Sequence, residues 1–176
     1  MCMGSWAQAV IFPQKKQPGV AKITQKSNSY QLANKVLKAS FINTGGKLYF
    51  NGCSELGLQP DTELFKVLQG DGSTVAASKM KLEDVKIVTL GEDPSAATAS
   101  LRYAGKALEA RFTYGDLSIT WRAVLRDGSH YLRTEMDIKA ARDLSMKGIV
   151  AMNYLVAKNS AYTAPEVVGN TRGAIL

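Results

Sequence analysis

The only histidine in the chain is His130, and it falls in the stretch Asp127-Gly128-Ser129-His130-Tyr131. Nucleophilic catalysis of the Ser-His-Asp or Cys-His kind needs a histidine. An imidazole beside Asp127 has the type of a general base, but no nucleophile or set of oxyanion donors can be named to go with it. A second possibility is a carboxylate pair. Glycoside hydrolysis needs two acids about 5–10 Å apart, one of them with a raised pKa. Glu135 and Asp137 have a suitable spacing on one face of a strand, yet Arg133 and Lys139 alternate with them and favour the ionised state of both. An ordinary charged outer face is the better reading. The two cysteines, Cys2 and Cys53, have no CxxC spacing, and no histidine–carboxylate cluster has metal-ligand spacing. No GxSxG motif and no phosphate-cradling glycine loop is present. These observations assign no catalytic residue, no metal and no cofactor.

Sugar binding asks for less: an aromatic platform with polar groups beside it. Trp121, Tyr103, Tyr114, Tyr131 and Tyr154 are the aromatic candidates. Trp121 sits in the apolar register of its strand, where core packing is the favoured role. Tyr131, on the polar face beside Arg133 and His130, is the better exposed platform. The candidate carbohydrate-binding set is therefore Tyr131, Arg133, His130 and Trp121.

The element that positions these residues is a hairpin over residues 117–140, LSITWRAVLRDGSHYLRTEMDIKA. Leu117, Ile119, Trp121, Ala123 and Leu125 share one face of its first arm, and Ser118, Thr120, Arg122 and Arg126 the other, the period-2 pattern of a half-buried strand. Leu132, Thr134, Met136 and Ile138 continue the apolar face in the second arm, beyond an Asp127-Gly128 turn. Further strands are expected at 20–24, 36–43, 47–51, 62–69, 74–78, 82–90, 99–103 and 107–114. Turns such as Thr44-Gly45-Gly46 and Gly70-Asp71-Gly72-Ser73 separate several of them. Residues 146–157, MKGIVAMNYLVA, read as a long buried strand. Turn signals about every 8 to 12 residues, with no convincing amphipathic helix and no repeat, predict an all-β antiparallel sandwich or barrel.

The 176 residues suffice for one domain, assigned to 20–176, with 45% hydrophobic and 21% charged residues. No apolar run approaches the about 20 residues of a membrane-spanning helix. The net charge is +7, and up to Ser54 there is no Asp or Glu while Lys15, Lys16, Lys22, Lys26, Lys35, Lys38 and Lys47 supply positive charge. Spaced lysines without clustered arginine and aromatics suit the protection of edge strands better than nucleic-acid binding. Residues 1–19 are read as a leader remnant or an extended lead-in. Ala7-Gln8-Ala9 fits the small-x-small pattern before a signal-peptidase site, although a basic start and apolar centre are missing. The end, Ala174-Ile175-Leu176, reads as the apolar start of a further element, and continuation of the natural chain is expected.

The ordering of motifs carries a resemblance. Residues 63–87, ELFKVLQGDGSTVAASKMKLEDVKI, then 108–138, LEARFTYGDLSITWRAVLRDGSHYLRTEMDI, then PEVVGNTRGAIL, resemble the N-terminal β-sandwich of large secreted bacterial glycoside hydrolases. The likeness runs from about Leu37 onward and rests on "strand, DG turn, alanine-serine strand" and "WR, DGxxYLR". It implies a galactose-mutarotase-like supersandwich, truncated from a larger chain and packed on a C-terminal catalytic domain of the same parent. It further implies a secreted, periplasmic or cell-surface location. True mutarotases work with histidine and glutamate in the sandwich cleft, and this chain lacks the matching histidines; the hydrolytic acids would lie beyond Leu176. The leading expectation is a noncatalytic accessory domain with oligosaccharide as a further partner. The alternative is an independent carbohydrate-binding or surface-interaction module, and a third is a sugar-processing enzyme using Glu135, Asp137 and His130. An accessory domain should leave an apolar patch incompletely covered near its C-terminal end; a free-standing binder should expose an aromatic shelf.

Overall fold

Strand-forming alternation produces eleven strands in the computed structural model, which describes residues 16–53 and 62–151. They are β1 (Lys22–Lys26), β2 (Ser29–Ala33), β3 (Lys38–Thr44), β4 (Lys47–Cys53), β5 (Lys66–Gln69), β6 (Thr74–Ala76), β7 (Lys81–Leu90), β8 (Gly105–Tyr114), β9 (Leu117–Arg126), β10 (Arg133–Ala140) and β11 (Met146–Val150). Two four-stranded sheets, β1-β2-β3-β4 and β10-β9-β8-β7, are joined by a small sheet β11-β5-β6. Every named pairing is antiparallel. The chain is an all-β antiparallel sandwich.

The core forms where the inward faces of the two larger sheets meet. Tyr30 and Leu32 of β2, Phe41 of β3, and Leu48 and Phe50 of β4 are buried together with Leu108 and Phe112 of β8 and Ile119, Trp121 and Leu125 of β9. Trp121 packs edge-to-face on Phe41 with ring centroids 5.6 Å apart, and Phe41 on Phe50 also at 5.6 Å. The segment leading into β5 brings Phe65 onto Phe112 at 5.2 Å, so the small sheet extends the same core. Such edge-to-face pairs add to the burial of the rings.

The organising hairpin is present. β9 and β10 pair from Leu117↔Ala140 to Val124↔Arg133, which leaves residues 127–132 as the tip. The turn between β3 and β4 is also as read: Gly45 and Gly46 both take positive φ, 59° and 71°, as a type I′ hairpin turn requires and a side chain would resist.

Four expectations are corrected. The first strand is β1, two residues later than 20–24, and β2 was not foreseen. Their connection, Ser27-Asn28, makes a two-residue turn in which Ser27 itself adopts φ 53°. Residues 99–103 do not form a strand: Ala99–Leu101 is a 3-10 turn within the link between β7 and β8. The strand expected at 62–69 is confined to Lys66–Gln69, and β6 ends at Ala76, where a 3-10 turn, Ala77–Lys79, follows. The apolar stretch from 146 forms the five-residue β11, exposed at Met146 and Lys147, partly buried from Gly148 to Val150, and paired on one side with β5; its remainder, with Tyr154 and the 167–176 end, lies outside the described residues. So do Cys2 and Ala7-Gln8-Ala9.

On the outer face of the second sheet, register lines up a row of alternating charge: Lys86 of β7 against Glu109 of β8, Glu109 against Arg122 of β9, and Arg122 against Glu135 of β10. Glu109 is only 5% exposed. It holds Lys86 Nζ at 2.9 Å and Arg122 Nε at 2.5 Å. Burial pushes its pKa up, but the hydrogen bonds and charges of Lys86 and Arg122 outweigh burial and leave it below the ordinary 4.5. A carboxyl with a depressed folded-state pKa stabilises the fold above its unfolded pKa, and this contribution is lost as pH falls through the folded value. Glu109→Gln is therefore expected to cost about 1–3 kcal/mol at neutral pH. The difference from the wild type should shrink below about pH 4, read by denaturant unfolding at both pH values.

Candidate functional site

Alternation on β8 and β9 directs Ala107 and Val124 outward, yet both are buried and neither joins the central core. They form a small apolar patch on the outer face at the end of the sheet where the β9–β10 tip lies. The link between β7 and β8, residues 91–104, folds back to this place. It is shaped locally by Asp93, whose carboxylate accepts from Ser95 N at 3.1 Å and Ser95 Oγ at 2.5 Å, and by Arg102 Nε, which donates to Ala96 O at 2.8 Å.

Two arginines of the outer face fasten the link. Arg126, the last residue of β9, donates from Nη1 to Gly91 O at 3.1 Å and Tyr103 O at 2.6 Å, holding the link near both ends. Arg133, the first residue of β10, donates from Nη1 to Ser100 Oγ at 3.1 Å in the 3-10 turn, and from Nη2 to Glu135. The strand register that places Arg126 and Arg133 on one face thus determines where the link sits.

The hairpin tip is pinned from the opposite side. Asp127 Oδ1 accepts from Ala21 N at 2.7 Å, Gly128 N donates to Gly19 O at 2.9 Å, and Asn34 Nδ2 donates to Ser129 O at 2.7 Å. Asp127 N donates to Ala104 O at 2.8 Å, tying the tip to the end of the link as well. Ser129 Oγ donates to Tyr131 O at 2.9 Å and accepts from Tyr131 N at 3.2 Å, which fixes the backbone of Tyr131.

Between tip and link lies a cavity of about 230 Å³, with Val124, Arg126 and Arg133 from the strands, Ser100 and Tyr103 from the link, and Asp127, His130 and Tyr131 from the tip. Tyr103 and Tyr131 are 59% and 55% exposed. Two aromatic rings, two guanidinium groups and a hydroxyl are thus presented at one opening. Cavities that hold drug-sized ligands span about 300–1,000 Å³, so this one suits a single small unit, such as one sugar ring at the end of a chain.

Of the four residues chosen from the sequence, Tyr131, Arg133 and His130 come together here. Trp121 does not, and its choice is corrected: the ring is fully buried against Phe41 and has no face to offer a sugar. Arg126 and Ser100 were not foreseen. Tyr103 was an aromatic candidate, but only the fold-back of the link brings it to the same cavity as Tyr131. The acids Glu135 and Asp137 pair with Arg133 and, at 3.7 Å, with Lys139, as a charged outer face requires. Among the described residues, no three His, Cys, Asp or Glu side chains come together in a way that could hold a metal ion. No helix among them is long and apolar enough to cross a membrane.

No family model, no curated protein and no solved structure matches the chain.

At the other end of β9, nine residue steps and about 30 Å from Arg126, is a second hollow of about 180 Å³ beside the start of β11. Val67, Val75, Met80 and Leu117 line it with Gln69 and the ion-paired Asp116 and Arg142, and Tyr114, Leu144 and Met146, each between 41% and 45% exposed, add apolar surface.

Proposed function

We propose that this protein is a noncatalytic β-sandwich domain that binds carbohydrate at the hairpin-tip cavity and serves as an accessory domain of an exported glycoside hydrolase. The observation that carries the binding part is the convergence of Tyr103, Tyr131, Arg126, Arg133 and Ser100 on one cavity of single-ring size. Aromatic rings stack on the apolar face of a sugar while guanidinium and hydroxyl groups meet its hydroxyls. The tip is tied to the end of the β7–β8 link, to the N-terminal segment and to the β2–β3 connection, so little ordering is left to be done on binding. The accessory part draws on the resemblance and on the incompletely covered, mainly apolar hollow beside β11, the kind of feature an interdomain contact calls for. An independent binding module shares the cavity but gives that hollow no role.

A glycan-array screen of the purified chain, followed by titration of the best ligand, tests binding. Tyr131→Ala is expected to weaken the best ligand by about 10-fold or more while moving stability by less than about 0.5 kcal/mol, because the ring is more than half exposed. A blank array would overturn the binding role. The accessory role expects the source reading frame to continue into a catalytic domain; an immediate stop codon would favour the independent module.

A further inference from the structure

We infer that the ligand unit in the hairpin-tip cavity carries a carboxylate, as the uronic-acid end of a glycan does; the inference rests on the sugar-binding reading above. The reason is the unequal charge balance of the two arginines. The guanidinium of Arg133 is ion-paired with Glu135. Arg126 meets no carboxylate among the described residues: its hydrogen bonds run from Nη1 to the neutral carbonyls of Gly91 and Tyr103. Asp127, which also lines the cavity, accepts from Ala21 N at 2.7 Å through Oδ1 and forms no ion pair with Arg126.

Arg126 is half-buried, lines the cavity, and has a buried Nε–H that holds no hydrogen bond; the Nε–H of Arg133 is in the same condition. A partly desolvated guanidinium without an ion-pair partner attracts an anion more strongly than a solvated one does. Its planar set of donors matches a carboxylate better than a hydroxyl. The carboxylate is assigned to the Arg126 side of the cavity, with the pyranose ring against the exposed tyrosines of the rim, Tyr103 and Tyr131. The cavity takes the acid as a terminal unit, since its volume is that of one ring.

The test is titration of the full chain, by amide chemical shifts, with glucuronate and galacturonate against glucose and galactose. The uronates are expected to bind at least about 10-fold tighter than the matching neutral sugars, the margin of a charge-assisted over a neutral hydrogen bond. Added salt should narrow that margin while leaving the neutral sugars unaffected. Arg126→Gln is expected to bring uronate affinity down to that of the neutral sugar. Because Arg126 also fastens the link, the salt titration of the wild type supplies the same reading without a variant. Neutral sugars binding as tightly as uronates would overturn the carboxylate assignment and leave sugar binding standing. If neither class binds, both fall.

Discussion

Trp121→Ala is expected to lower stability by about 3–5 kcal/mol, and so to reduce Tm by roughly 6–20 °C. Trp121 is fully buried at the contact between the two larger sheets, where its ring meets Phe41, which in turn meets Phe50. Truncation opens a cavity that β-strands hydrogen-bonded on both sides cannot close. β9 is held by β8 across ten residue pairs and by β10 across eight. The indole Nε1–H is buried without a hydrogen-bond partner, an arrangement that already costs the fold something. Trp121→Phe, which removes that donor and keeps most of the ring volume, should therefore cost far less, about 1–2 kcal/mol. Circular dichroism on heating separates the two variants. Tryptophan emission does not serve, since the chain has only one other tryptophan, Trp6. A loss below about 1 kcal/mol for Trp121→Ala would mean that the ring is not at the sheet–sheet contact.

The residues that were legible in the sequence are those whose role is set by their immediate neighbours along the chain. Alternation over residues 117–126 and 132–138 gives the faces of β9 and β10 directly, and placed Trp121 inward and Arg133 outward. Tyr131 and His130 were legible because the Asp127-Gly128 turn puts them at a tip. The failures share a physical cause. β2 escaped because the turn before it, Ser27-Asn28, lacks the glycine that usually marks positive φ. Residues 99–103 have strand-like composition, but their partners are Arg126 and Arg133, 23 to 33 residues away along the chain, and no local pattern reports such a contact. Val124 breaks the polar outward register of β9, which looks like noise until the link is seen to fold back to it. The site is therefore half local, in the tip, and half topological, in the link, and only the first half can be read from spacing.

Gly105→Ala is expected to damage that topological half. Gly105 opens β8 and pairs with Arg126, the residue that grips the link. A Cβ at Gly105 would lie 2.5 Å from Leu125 O, 2.9 Å from Arg126 Cα and 3.1 Å from Arg126 Cδ. The first two are backbone atoms, and they cannot yield separately. The ladder between β8 and β9 and the Asp127 N to Ala104 O bond hold them on either side. The end of β9 must move away from β8, carrying the Arg126 guanidinium from Gly91 O and Tyr103 O. The expected cost is about 2–3 kcal/mol, typical of overpacking against an unyielding wall. The more specific expectation is local. With its clasp displaced, the link should open more often, so trypsin cleavage after Arg102 should accelerate by more than the loss of global stability accounts for. Ligand binding at the cavity should fall further than in Tyr131→Ala. Gly91→Ala is the matched control, because no atom lies within 4 Å of a Cβ added there, and it should change neither rate nor affinity. Equal cleavage rates in Gly105→Ala and the wild type would show that Arg126 does not hold the link, and the cavity would then lose its Tyr103 wall as a fixed feature.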